Sequence, residues 1–155
     1  MMSITKPKGK AKDVVSRKDA ARAVKCGSVM ERPHVLSNKA SLATILDKIT
    51  INNWDHIYII DEYRIPMGRI HAVDILKMIA NKTVNRNVAW MHAIPAQQLV
   101  NIPPLKVGVN TPLLKAAALL LTHDLNQIAV VDRDGCLAGV VSHATISRHI
   151  PKFIL

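Results

Sequence analysis

The chain repeats itself at an offset of 71 residues, without a gap. Ile57-Tyr58-Ile59-Ile60-Asp61 returns as Ile128-Ala129-Val130-Val131-Asp132, and Leu42, Gly68 and Ile75 return as Leu113, Gly139 and Ile146. A duplicated stretch of this size constrains the fold strongly. Each copy is one supersecondary unit, and two copies close a shared core. Grooves between such copies are the first place to look for a ligand.

Hydrophobic periodicity gives each copy the same order of elements. In the first, Val35-Leu36 reads as a short strand, and Leu42–Ile51 as a helix with Leu42, Ile45, Leu46 and Ile49 on one face. Ile57–Ile60 is a continuous apolar run of β-branched and aromatic type, hence a buried strand. Asp61–Pro66 turns the chain, Met67–Ile70 returns it, and Val73–Ala80 is a helix. The second copy has a strand at Val107–Val109 and a helix at Leu113–Thr122 opened by Thr111-Pro112. A strand at Ile128–Val131 leads to the turn Asp132-Arg133-Asp134-Gly135, whose Asp-Gly step suits positive φ. Leu137–Val141 and a helix over Ala144–Ile150, ended by Pro151, complete it. Asp61 and Asp132 open their turns, where Asp is favoured by local hydrogen bonds, and neither is read as a catalytic acid.

Four segments result: 1–25, a basic N-terminal arm and linking helix; 26–82, repeat one; 83–104, an ordered linker with a short helix; and 105–155, repeat two. The helix of the first segment covers Asp13–Lys25, and Gly27 ends it.

Composition bounds the class. Apolar residues make up 49% and aromatics only 3%, so the core is aliphatic. The net charge is +10, which favours anionic partners. Residues 1–25 hold eight basic residues against Asp13 and Asp19, so most of the charge sits in the arm. Alternating Lys6, Lys8, Lys10 and Lys12 would neutralise phosphates without reading sequence, and no aromatic interleaves them for stacking. A solvated tail is the bland alternative. Cys26 and Cys136 lie far apart and in no ligand pattern, which fits a reducing compartment. The start of the chain has no apolar signal segment, and the longest apolar stretch is too short to span a bilayer. A cytoplasmic location is expected. The seven histidines form no metal-ligand spacing, and no nucleophile elbow surrounds Ser142-His143.

The tandem strand–helix–strand–turn–strand–helix, with Val130-Val131-Asp132-x-x-Gly135 and then Gly139-Val140-Val141-Ser142, resembles the CBS domain (cystathionine β-synthase domain). Two copies in tandem resemble a Bateman module. The resemblance covers roughly 29–150. It implies an α+β fold of two tandem βαββα repeats with pseudo-two-fold symmetry, sheets packed together and helices outside. It also implies a homodimer that binds an adenine nucleotide (AMP, ADP or ATP, in some members S-adenosylmethionine) in inter-repeat clefts. Such proteins regulate a partner and are not enzymes.

The family's signature is Gly-h-x-Ser/Thr-x-x-Asp at the last strand and helix of a repeat. By resemblance the Asp accepts from the ribose hydroxyls, and the hydroxyl residue faces phosphate with the helix amides. Repeat one reads Gly68-Arg69-Ile70-His71-Ala72-Val73-Asp74, so Asp74 matches and His71 departs. Repeat two reads Gly139-Val140-Val141-Ser142-His143-Ala144-Thr145, so Ser142 matches and Thr145 departs. In the first cleft the resemblance implies Asp74 on ribose, His71 and His56 toward phosphate with Arg69 or Lys77 behind them, and Tyr58 in the adenine slot. The facing wall would come from Lys106 and its neighbours. In the second cleft it implies Ser142, Thr145 and Arg148, with Val35 opposite. Protonation of the histidines near neutral pH would strengthen phosphate binding. Each position also has a structural reading: Asp74 suits the helix macrodipole, and Ser142 and His71 suit a helix cap. Two rivals stay open: a scaffold that keeps the fold without the ligand, and nucleic-acid association through the arm.

Overall fold

The computed structural model describes residues 22–80, 94–100 and 104–149. In chain order its elements are α1 (Cys26–Val29), β1 (Val35–Ser37), α2 (Leu42–Asn52), β2 (His56–Ile60), β3 (Pro66–His71), α3 (Ala72–Ala80), a single 3-10 turn (Ala96–Gln98), β4 (Lys106–Gly108), α4 (Leu113–Thr122), β5 (Gln127–Val131), β6 (Leu137–Ser142) and α5 (His143–His149). They form two compact units. The repeat-one unit contains the described residues from Arg32 to Leu105 and the turn Asp132–Leu137. The repeat-two unit contains those up to Glu31, Lys106–Val131, and those from Ala138 onward.

The repeat-one unit is a three-stranded sheet, β1-β2-β3. β1 runs parallel to β2, with Val35 opposite Tyr58, and β3 runs antiparallel, with Tyr58 opposite Arg69 and His56 opposite His71. All five residues of β2 are buried, as expected of a central strand covered on both faces. Leu42, Ile45, Ile57, Ile59, Ile70, Ile75 and Ala96 make its core. Ser41 starts α2 by accepting from the Thr44 N–H at 3.2 Å, a side-chain N-cap.

The repeat-two unit is built the same way, in the order β4-β5-β6, with β4 parallel to β5. Its core is a separate cluster of Cys26, Val107, Leu113, Ala116, Leu120, Ile128, Val130 and Val141. The turns also correspond. Asp61 Oδ1 accepts from the N–H groups of Tyr63 and Ile65 at 2.8 and 2.9 Å. Asp132 Oδ1 accepts from those of Asp134 and Cys136 at 2.9 and 3.0 Å. The local bonds expected of Asp at these positions are therefore formed, and they consume one carboxylate oxygen in each turn. Left-handed residues recur at the same offset: Asn53 (φ 54°) and Asp124 (φ 51°) after the helices, Arg64 (φ 65°) and Gly135 (φ 83°) in the turns.

One difference from the sequence reading concerns the segment before each first strand. Residues 26–31 stand at the head of repeat one but pack in the repeat-two unit. There the Cys26 N–H donates to Thr111 O at 2.8 Å, and the Gly27 N–H donates to Val109 O at 2.9 Å. Gly27 does not end a helix; it lies inside α1, after an extended Lys25. In the same manner the Ala96 N–H donates to Ala40 O, and the Gln97 N–H to Asn38 O, in the repeat-one unit. The segments 24–30 and 94–100 are thus a further repeated element, at an offset of 70. The basic arm before residue 22, most of the linker and the end of the last helix lie outside the described residues. Among the described residues no helix is long and apolar enough to cross a membrane.

Candidate functional site

The signature residues of each repeat fall at one place in its unit, where the last strand passes into the last helix. In the repeat-one unit, β3 ends at His71 and α3 begins at Ala72. A backbone bond from the Ala72 N–H to Asp55 O at 2.8 Å ties this junction to the start of β2. The equivalent bond in the repeat-two unit runs from the His143 N–H to Asn126 O at 3.2 Å.

His71 caps α3: its Nδ1 accepts from the Val73 N–H at 3.0 Å. The imidazole of His56 stands edge-on to His71, with ring centroids 4.3 Å apart. His56 is only 5% exposed. Its Nδ1 lies 2.9 Å from Asp55 Oδ1, and its buried Nε2 has no partner among the described residues. Burial pushes the His56 pKa down, against the opposing pull of Asp55. The bond to His56 in turn holds the Asp55 carboxyl below its usual value. Burial thus works against the protonation that was expected to strengthen phosphate binding. A buried ring that resists charging is a poor cation at that pH.

Tyr58 is 2% exposed, and burial pushes its phenol up to about 12 even though Arg69 hydrogen-bonds it. It fills the interior of its unit, as a large aromatic with a satisfied polar tip does. Asp74 is exposed in the first turn of α3. Together with Arg69, Ile70, Ile75 and Leu99 it lines a recess with a cavity volume of about 40 Å3. That volume holds a water or the edge of a ligand, not a whole nucleotide. Lys77 is exposed one turn further along α3. Val35 and Lys106, expected as facing walls, take matching positions in β1 and β4, opposite Tyr58 and Ala129 respectively.

In the repeat-two unit Ser142 and Thr145 bond reciprocally across the first turn of α5. The Thr145 N–H donates to Ser142 Oγ and the Ser142 N–H to Thr145 Oγ1, both at 3.3 Å. The two hydroxyls are 3.2 Å apart. This is the helix-capping role open to Ser142 on sequence grounds. Thr145 is 1% exposed and also donates to Glu31 Oε1 at 3.1 Å. Arg148 Nη1 lies 3.7 Å from the same oxygen. Two of the three expected residues, Thr145 and Arg148, therefore address a carboxylate that the sequence reading did not include, and Ser142 bonds to Thr145. Among the described residues no group of three His, Cys, Asp or Glu side chains is placed to hold a metal ion.

Two sheets, each βαββα and joined in tandem, define the class of CBS-domain pairs. Residues 96–152 match the family model of the CBS domain, and the chain has the fold of tandem CBS-domain proteins. The matched span begins nine residues before the predicted start of repeat two, because it takes in the 3-10 turn. The chain is similar in structure to CBSX2 solved in complex with AMP, at 23% identity, TM-score 0.70, and 84% and 98% of the two chains covered. It is also similar to a CBS domain-containing protein from Bacillus anthracis, at 17% identity, TM-score 0.74 and 87% and 98% covered. A third similar structure is the CBS domain pair of protein MJ0100 with 5'-methylthioadenosine and S-adenosyl-L-methionine, at 18% identity, TM-score 0.67 and 84% and 98% covered. No curated protein is significantly similar in sequence.

Proposed function

We propose that the protein is a regulatory CBS-domain pair that binds an adenine nucleotide (AMP, ADP or ATP) and, as a homodimer, passes its occupancy to a partner protein. One observation carries the reading: at the β3–α3 junction a solvent-facing carboxylate, Asp74, and a cation, Arg69, line one recess with apolar walls of Ile70, Ile75 and Leu99. A carboxylate accepts from two vicinal hydroxyls, a guanidinium complements phosphate, and the aliphatic wall suits a purine face. Structures of the same fold solved with AMP and with S-adenosyl-L-methionine support adenosine-type ligands. The groups at the site bind and orient, so the reading is that of a sensor. Coupling to a partner requires that the nucleotide favour one conformation over another.

Thermal denaturation with AMP, ADP and ATP tests this. A ligand at a hundred times its Kd stabilises by about 2.7 kcal/mol through mass action. The expected result is a rise in Tm with at least one nucleotide, reduced in Asp74→Asn. No rise with any of them at millimolar concentration would sink the reading and leave a scaffold protein that has kept only the fold.

A further inference from the structure

We infer that Glu31 supplies the diol-binding carboxylate of the repeat-two unit, in place of the aspartate that Thr145 has displaced. This rests on the nucleotide reading above and assigns a residue within it. Asp74 stands in the first turn of α3, and the residue at the matching position of α5 is Thr145. An acid thus stands in the first turn of α3 and a neutral residue at the matching point of α5, where Glu31 Oε1 accepts from the Thr145 hydroxyl at 3.1 Å. Each repeat keeps one carboxylate for this point, delivered by a different element.

The geometry of the repeat-two unit agrees. The backbone of Glu31 is held by a reciprocal pair with Val140, N–H to O at 2.8 Å one way and 3.0 Å the other. That pairing carries residue 31 to the side of β6 and α5. Thr145 Oγ1 at 3.1 Å and Arg148 Nη1 at 3.7 Å both address Oε1. Oε2 has no partner among the described residues, and the Glu31 side chain remains 49% exposed. A carboxylate with one oxygen pinned and the other open to solvent is oriented to accept from a ribose. Arg148, 62% exposed, stands beside it for a phosphate.

Calorimetric titration of AMP and 2'-deoxy-AMP into the full chain tests the assignment, with Asp74→Asn used to silence the repeat-one unit. The expected result is two AMP sites in wild type, one in Asp74→Asn, and a further loss of at least tenfold in affinity in Asp74→Asn/Glu31→Gln. The site left in Asp74→Asn should also bind 2'-deoxy-AMP at least tenfold more weakly than AMP, a readout that needs no change at Glu31. Undiminished affinity in the double variant, or equal affinity for the two nucleotides, overturns the role of Glu31 while the nucleotide reading stands. Loss of all binding in Asp74→Asn alone does the same, because the repeat-two unit then holds no site. Absence of AMP binding to wild type overturns the role of Glu31, and absence of binding by AMP, ADP and ATP alike overturns the nucleotide reading as well.

Discussion

The repeat-one unit caps its last helix with an imidazole, carries its carboxylate on that helix, and buries a histidine and a tyrosine behind the junction. The repeat-two unit caps the same helix with a hydroxyl, receives its carboxylate from Glu31, and has Gln127 and Ala129 where the histidine and tyrosine stand. Their backbones agree far more closely. The aspartate-held turns, the left-handed residues after the helices, and the bond tying the last helix to the start of the central strand all recur at an offset of 71. Backbone hydrogen bonds must all be satisfied once buried, so the bonding skeleton tolerates little change. The exposed side chains of the junction, such as Asp74 and Arg148, are under no such demand. The comparison teaches that the frame was conserved between the copies while the chemistry at the junction was free to diverge.

The largest test of that shared frame is at the glycines of the return strands. A Cβ on Gly68 would lie 2.5 Å from Val100 Cβ and 2.7 Å from its Cγ1. A Cβ on Gly139 would lie 2.6 Å from Met30 Sδ and 2.8 Å from its Cβ. Both contacts come from the segments repeated at an offset of 70. Overpacking of this kind costs on the order of 2 kcal/mol. Val100 Cβ and Met30 Cβ are both fixed to the backbone, so neither contact is relieved by side-chain rotation alone. Gly68→Ala and Gly139→Ala should therefore each lower stability by about 2 kcal/mol. Urea denaturation measures both. Negligible effects would mean that the two segments do not press on the strands as described.

A smaller effect is expected at the turns, where the copies differ in residue but not in conformation. Gly135 has φ 83°, and a Cβ there would meet no atom within 4 Å, so only backbone strain opposes a side chain. Gly135→Ala should cost about 1 kcal/mol. Arg64 already holds φ 65°, and Arg64→Gly should relieve strain of the same order, less the entropy that glycine adds to the unfolded chain. The pair should move in opposite directions in denaturant midpoint. Movement in the same direction would break the correspondence of the two turns.

Much of this frame was legible beforehand. Ile57–Ile60 and Ile128–Val131 are uninterrupted apolar runs, and each leads into an aspartate whose turn bonds are local, so neither depends on distant residues. The strands and helices accordingly fall within about a residue or two of their expected places. The partners of residues 24–31 and 94–100 were not legible. Those segments are fixed largely by backbone bonds, such as Cys26 to Thr111 and Ala96 to Ala40, and such bonds leave no side-chain signature. Glu31 was missed for the same reason: its role follows from where Val140 holds its backbone. His71, Asp74, Ser142 and Thr145 do cluster at the junctions, because a motif spanning a strand end and a helix start carries its own geometry. The burial of His56 was not legible, since a histidine at the head of a strand gives no sign of how deeply the ring will be buried.

That histidine provides the smallest and most discriminating test. His56 is confined to the repeat-one unit; the matching residue, Gln127, does not titrate. The charged groups that act on the His56 ring are Asp55, which favours protonation, and Arg69 and His71, which oppose it. Burial outweighs Asp55, so the folded pKa lies below the unfolded value. The unfolded chain then binds more protons in the interval between the two, and stability falls as pH drops through the unfolded value, near 6.5, toward the folded one. Asp55, whose pKa is also lowered, adds stability that is lost only as pH falls below about 4, outside this interval. Wild type should therefore be less stable in urea at pH 5.5 than at pH 7.5. His56→Gln, which installs the residue found in repeat two, should flatten that slope. A slope of the same size in both proteins would show that the pH response does not originate in this ring, and that the two units differ less in their electrostatics than in their sequence.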